Sequence, residues 1–275
     1  MSRIHPERIH RERISDVFTR GRKALIPYVT VGYPSREATL EIVPMLAESG
    51  CNIVELGIPF SDPLADGATI QKASFQALHN GVSPETCLEM ARQIRQKTDV
   101  PLVFMSYYNP VFNFGPARFV GACAQAGVNG LIIPDLPPEE GEELEAATRK
   151  KGMDLIYLLA PTSTGERIRV VTQHSSGFVY LVSVAGVTGA RNKLPSDLEA
   201  FVGRVRKVST QPLCVGFGIS TPEQATQVAR YADGVIVGSR LVQLMEGPDW
   251  QKNVRNFIGE LRKALDTRID IGEGK

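Results

Sequence analysis

The chain has 275 residues, 43% hydrophobic and 22% charged, a balance that supplies an ordinary buried core and argues against disorder. Its 31 Lys and Arg against 30 Asp and Glu leave a formal charge of +1, so no general field holds nucleic acid or an anionic membrane, and any anion must be bound locally. The longest apolar runs are of strand length and are broken by Gly, Pro or charge, too short for a bilayer span; neither nucleic acid nor a membrane is expected as a partner.

At the start of the chain, Arg3, Arg8, Arg11 and Arg13 would suit a transit peptide, but Glu7, Glu12 and Asp16 argue against one. Ile14, Val17 and Phe18 recur at helical spacing and predict an extra N-terminal helix packed on the body. Short runs rich in β-branched and aromatic residues then predict eight strands, at 24–31, 52–57, 102–107, 130–133, 155–159, 177–182, 213–216 and 234–237. Between them, helical periodicity predicts helices over 37–49, 84–96, 117–126, 138–150, 166–173, 196–208 and 223–230. A last helix carries Trp250, Val254, Phe257, Ile258, Leu261 and Leu265 on one stripe. Capping signals stand at Ser83-Pro84-Glu85, Ser196-Asp197 and Thr221-Pro222-Glu223, and Gly50, Gly127 and Gly152 stand where helices should stop.

Strand and helix thus alternate with no linker, which predicts one domain over residues 1–275. Eight such units fit a closed barrel or an open doubly wound sheet. The first junction, Val31-Gly32-Tyr33-Pro34, lacks a GxGxxG turn, the strand spacing is regular, and glycines with hydroxyls gather after the last two strands. These favour a single (β/α)8 TIM barrel. The junctions 59–80 and 183–194 are longer than the rest; at a barrel mouth such loops are functional or inert insertions. Cys51, Cys87, Cys123 and Cys214 are far apart and form no CxxC pair, which favours free thiols in a reducing cytoplasm over disulfides or zinc.

Chemistry concentrates at few positions. In Asn52-Ile53-Val54-Glu55-Leu56, alternation turns Val54 and Leu56 to the helices and Glu55 into the barrel. A buried carboxyl has a raised pKa and suits a general acid; the alternative is an interior Glu paired with a cation, although no predicted strand core contains Lys or Arg. Asp66 lies in the loop Ser61-Asp62-Pro63-Leu64-Ala65-Asp66-Gly67, either as a turn former or cap of a short helix, or as an acceptor over the mouth. Glu55, Asp62 and Asp66 alone make a weak case for a metal site. Gly216-Phe217-Gly218-Ile219-Ser220 and Gly238-Ser239 together form a candidate phosphate cradle, because glycine amides approach an anion closely. Ala185-Gly186-Val187-Thr188-Gly189 has the make-up of a lid or of an ordinary turn. Tyr180 points inward beside Glu55 or simply fills the core. His5, His10, His79 and His174 fall away from strand ends, and no GxSxG elbow is present.

The run from Glu55 through Gly67 resembles the signature of tryptophan synthase α subunits, down to both acids. The likeness extends to Tyr28-Val29-Thr30, Tyr107 with Asn109, Pro134-Asp135-Leu136-Pro137 and Tyr180-Leu181-Val182-Ser183. It implies a retro-aldol lyase that splits indole-3-glycerol phosphate into indole and glyceraldehyde 3-phosphate in tryptophan biosynthesis. Glu55 matches the acid that protonates indole C3, and Asp66 the aspartate that holds the indole N–H. Tyr180 matches a tyrosine beside the glutamate, Thr188 a lid threonine, and Gly189, Gly218, Gly238 and Ser239 the phosphate-binding positions. Tyr28, Met105 and Ile132 match apolar positions around the indole ring. The resemblance further implies no metal or organic cofactor on this chain, and a β subunit carrying pyridoxal phosphate in an α2β2 heterotetramer, faced by Pro59 and Asp62. Ala68, where many members have proline, and Val184, where some have arginine, depart from the pattern. A free-standing lyase and a non-catalytic regulatory subunit are the competing readings.

Overall fold

In the computed structural model, residues 12–19, 21–182, 194–216 and 218–267 are described. Nine strands form one sheet: β1 (Ala24–Thr30), β2 (Val54–Gly57), β3 (Leu102–Met105), β4 (Gly130–Ile132), β5 (Asp154–Ile156), β6 (Leu158–Leu159), β7 (Val179–Val182), β8 (Leu213–Gly216) and β9 (Gly234–Val237). Their order is β5-β4-β3-β2-β1-β9-β8-β7-β6, and every pairing is parallel. Only Tyr157 separates β5 from β6, so the two ends of that order meet and the sheet closes. The result is a (β/α)8 barrel whose fifth strand is broken in the middle. The single strand expected over 155–159 is corrected accordingly. Its cause is local: the Tyr157 N–H is taken by the Ser175 hydroxyl at 3.1 Å, and the Tyr157 hydroxyl reaches out to Glu145 Oε1 at 2.8 Å.

The helices around the sheet are α1 (Ile14–Phe18), α2 (Arg36–Glu48), α3 (Ala68–His79), α4 (Pro84–Arg95), α5 (Tyr108–Phe114), α6 (Pro116–Ala126), α7 (Glu142–Lys151), α8 (Gly165–His174), α9 (Leu198–Arg206), α10 (Pro222–Ala229), α11 (Ser239–Leu244) and α12 (Trp250–Asp266). Ser83 and Thr221 cap as expected, their hydroxyls accepting from the N–H groups of Thr86 and Gln224. At α9 the expectation fails, because Asp197 occupies the cap position without a side-chain bond. The helix expected over 138–150 is also divided: a 3-10 turn at Pro138–Glu140 precedes α7, with Gly141 between them. The junction 59–80 is not all loop; α3 occupies its second half and buries Ile70, Ala73 and Ala77 at helical spacing.

β1 and β2 are buried at every position, as parallel strands covered on both faces must be. On α12, Val254, Phe257, Ile258, Leu261 and Leu265 are buried, each contributing roughly 1.5–3 kcal/mol. α1 covers the end where the strands begin: Ile14 lies against Gly130 and Gly177, and Phe18 meets Phe178 with ring centroids 6.2 Å apart. The opposite end, where the strands finish, is therefore the open mouth.

Candidate active site

Glu55 leaves β2 in register with Tyr28 of β1 and Val103 of β3. Its side chain is fully buried, and neither carboxylate oxygen has a hydrogen-bond partner among the described residues. Loss of water alone pushes the carboxyl up to about 8, so it holds its proton near neutral pH. No Lys or Arg among the described residues makes a structural ion pair with it. Tyr28 and Tyr180 flank it, both phenols pushed up chiefly by burial and both sensing Glu55 and Asp66.

Two glycines make room for those rings. A Cβ on Gly57 would stand 2.0 Å from Tyr28 Oη, and one on Gly216 would stand 2.3 Å from Tyr180 Oη. Each glycine ends a strand adjacent to the tyrosine's own, so the rings lean over bare backbone toward the mouth. Gly57→Ala is expected to destabilise the fold by at least about 2 kcal/mol, since a rigid aromatic in a packed core yields little. Denaturant unfolding with an unchanged m-value reads this directly.

Asp66 approaches from the loop before α3 and is 8% exposed. It does not cap that helix: Gly67 is the cap residue, with no side-chain bond. Burial pushes the Asp66 carboxyl up to about 6, opposed by the nearby Tyr107 hydroxyl. The Asp66 main chain is fixed by Pro63 O at 3.0 Å and by the Gln71 side chain at 2.9 Å.

Around these acids lies a cavity of about 480 Å³, mouth included, lined also by Tyr28, Met105, Tyr180, Gly218, Gly238 and Ser239. Eight of the residues singled out in the sequence are thus brought together. Ile132 is fully buried in β4 and lies outside this lining. Thr188 and Gly189 lie outside the described residues. Asp62 is exposed, whereas Pro59 is buried at the foot of the same loop. Sequence reasoning missed Ile70, Ile219, Ile236 and Arg240 in the lining. Ile236 was readable, since Gly234, Ile236 and Gly238 alternate along one strand face. Ile70 lies on α3, expected only as a short helix with no inward face assigned. Gly218, at φ +80°, adopts a backbone conformation natural to glycine and leaves its main chain bare on the cavity wall.

A closed barrel with a proton-bearing carboxyl and a second acid facing an apolar cavity at the strand C-termini is the architecture of a (β/α)8-barrel enzyme. The particular family follows from comparison. The family model for the tryptophan synthase alpha chain matches residues 14–266. The tryptophan synthase alpha chain of Dehalococcoides mccartyi is 58% identical over 254 residues, covering 92% of this chain and 99% of that one. That of Citrifermentans bemidjiense is 50% identical over 260 residues, covering 92% and 97%. Among solved structures, Mycobacterium tuberculosis tryptophan synthase superposes with a TM-score of 0.86 at 42% identity, over 92% of this chain and 98% of that one. The Legionella pneumophila tryptophan synthase subunit alpha gives 0.86 at 38% identity, again over 92% and 98%. This chain belongs to the tryptophan synthase alpha chain family, and is an enzyme of tryptophan biosynthesis.

Proposed function

We propose that the chain is a carbon–carbon lyase that cleaves indole-3-glycerol phosphate into indole and glyceraldehyde 3-phosphate. The observation that carries this reading is Glu55, an acid with no hydrogen-bond partner among the described residues, fully buried, and protonated near neutrality on the wall of an apolar cavity. Its proton goes to indole C3, making the ring an electron sink; the C3–glycerol bond then breaks and its electron pair returns to the ring. The side-chain hydroxyl at the broken bond becomes the aldehyde, and its released proton restores the Glu55 acid. Asp66 accepts the indole N–H, whose positive character grows as C3 is protonated. Main-chain N–H groups at Gly218, Gly238 and Ser239, with Gly189 by the family resemblance, hold the phosphate end, and by the same resemblance Thr188 is a lid threonine that helps position Asp66. Tyr28 and Met105 border the ring on the cavity wall.

The family assignment and the surface both support a β-subunit partner and an α2β2 assembly. Leu64, Phe75 and Phe112 are 80%, 66% and 63% exposed. Phe75 lines one of two grooves that share Phe60, Ser61 and Leu78, and Leu64 lies on the same loop as Ser61 and Asp62. Large apolar side chains left exposed suit a protein partner. Indole would pass to that subunit. The proposed compartment is the cytoplasm, where four buried free thiols are at ease; no helix among the described residues is long and apolar enough to cross a membrane.

The test is turnover of indole-3-glycerol phosphate by the full chain, alone and with a β subunit, across pH. Slow cleavage alone and a marked rise in the complex are expected. The rate should be bell-shaped in pH, because the reaction needs Asp66 ionised, above about 6, and Glu55 protonated, below about 8. A chain that binds the substrate yet never cleaves it, alone or in complex, would be a regulatory subunit instead.

A further inference from the structure

Charge is unevenly placed around the cavity. Two carboxyls, Glu55 and Asp66, stand on its wall, and Arg240 is the one Lys or Arg among the described residues of its lining. Arg240 is the second residue of α11, directly after Ser239 and two after Gly238, the main-chain positions that hold the phosphate end in the lyase reading. The backbone beneath it is fixed. Leu241 and Val242 are buried, and a Cβ on Gly238 would stand 3.4 Å from Tyr28 Cβ, so the chain packs closely on β1 here. The side chain itself is uncommitted: Arg240 is exposed and makes no hydrogen bond or ion pair with any described residue, whereas Arg206 pairs with Asp233 and Arg204 reaches Pro161 O at 2.7 Å. Nor does it serve the two carboxyls. Burial is the largest influence on both, and no cation offsets it at either.

We propose that Arg240 is the cationic part of the substrate site, its guanidinium pairing with the substrate's phosphate and so selecting phosphorylated over phosphate-free substrates. The identity of that substrate rests on the lyase reading. A phosphate monoester carries a charge of about −1.5 to −2 at pH 7. It must enter a cavity in which Asp66 is also negative above about 6. Main-chain amides offer only partial positive charge, and two anions in a space poor in screening water repel each other strongly. The chain as a whole has a formal charge of +1, so no general field compensates. A guanidinium supplies a full charge and a planar fork of N–H groups that matches two phosphate oxygens.

Two consequences follow from its place. Because Arg240 is exposed, its attraction for the anion is screened by salt. Because the phosphate lies at the far end of the substrate from the bond that breaks, the pairing is the same before and during cleavage, so its loss falls on KM rather than kcat.

The experiment uses the full chain with a β subunit and two readouts. In calorimetry with glycerol 3-phosphate, which has the phosphate end and no indole, Arg240→Gln is expected to bind about tenfold more weakly than wild type at low salt, and the deficit to shrink as salt is raised. Arg240→Lys, which keeps the charge, is expected to stay within about threefold of wild type. In turnover, Arg240→Gln is expected to raise KM for indole-3-glycerol phosphate about tenfold with kcat lowered less than about twofold. Its preference for that substrate over phosphate-free indole-3-glycerol should fall about tenfold as well. Equal glycerol 3-phosphate binding by wild type and Arg240→Gln overturns the role, and so does a lysine variant as weak as the glutamine one. An equal loss on the phosphorylated and phosphate-free substrates also overturns it, since that marks a loosened fold. A wild-type complex that binds glycerol 3-phosphate through Arg240 and cleaves nothing overturns the lyase reading alone and leaves Arg240 as a phosphate-binding residue.

Discussion

Glu55→Gln is expected to lower kcat by at least about 10³-fold and, at the same time, to raise the melting temperature. Glutamine keeps the shape but has no proton at the acidity that ring protonation requires, so the loss falls on the chemical step rather than on substrate binding. The stability gain follows from proton linkage. The Glu55 carboxyl titrates at about 8 when folded against an ordinary 4.5, so between those values the native state binds a proton that the unfolded chain has released, and stability falls as pH rises. The penalty is absent below about 4.5, grows through the interval, and is complete above about 8, where its size is on the order of 5 kcal/mol. Glutamine carries no charge at any of these pH values. The melting-temperature difference between mutant and wild type should therefore widen from pH 4.5 to 8 and level off beyond. A dead mutant with no such widening would mean that Glu55 is solvated or paired in solution, and the acid assignment would go with it.

That tension between stability and function was half visible in the sequence. Alternation along β2 placed Glu55 inside, and the lack of Lys or Arg in the predicted strands left it without an obvious counter-ion; both inferences use contacts within a few residues. The empty hydrogen-bond shell of its carboxylate depends on side chains from across the barrel, which no local pattern reveals. The same holds for Gly57 and Gly216. Each reads as a plain strand end, and its function is to leave space for a tyrosine contributed by another strand. Tyr157 shows the limit from the other direction: by composition 155–159 is a good strand, but a single serine from the next unit takes its N–H and breaks it. Likewise α3 reads in the sequence only as a short helix that Asp66 could cap, and its run through His79 was missed within a junction otherwise read as loop. Its apolar stripe was present but short, and periodicity over so few turns is easily overridden.

Asp66→Asn supplies the second large effect, an expected loss of about 10²-fold or more in kcat with KM changed little. Asparagine keeps an oxygen that can accept the indole N–H in the ground state, so substrate binding survives. What disappears is the negative charge, and its interaction with the ring strengthens only as C3 takes the proton and the N–H becomes cationic in character. In a cavity from which burial has removed most screening water, that difference between ground and transition states is large. The pH profile separates this account from a general loosening of the loop. Wild-type activity should fall below about 6, where Asp66 acquires a proton. The asparagine variant has no group to titrate there, so its residual rate should run flat through that range while still declining above about 8, where Glu55 loses its proton. An acid limb that persists unchanged in Asp66→Asn would assign that ionisation elsewhere and leave Glu55 as the only carboxyl in the chemistry.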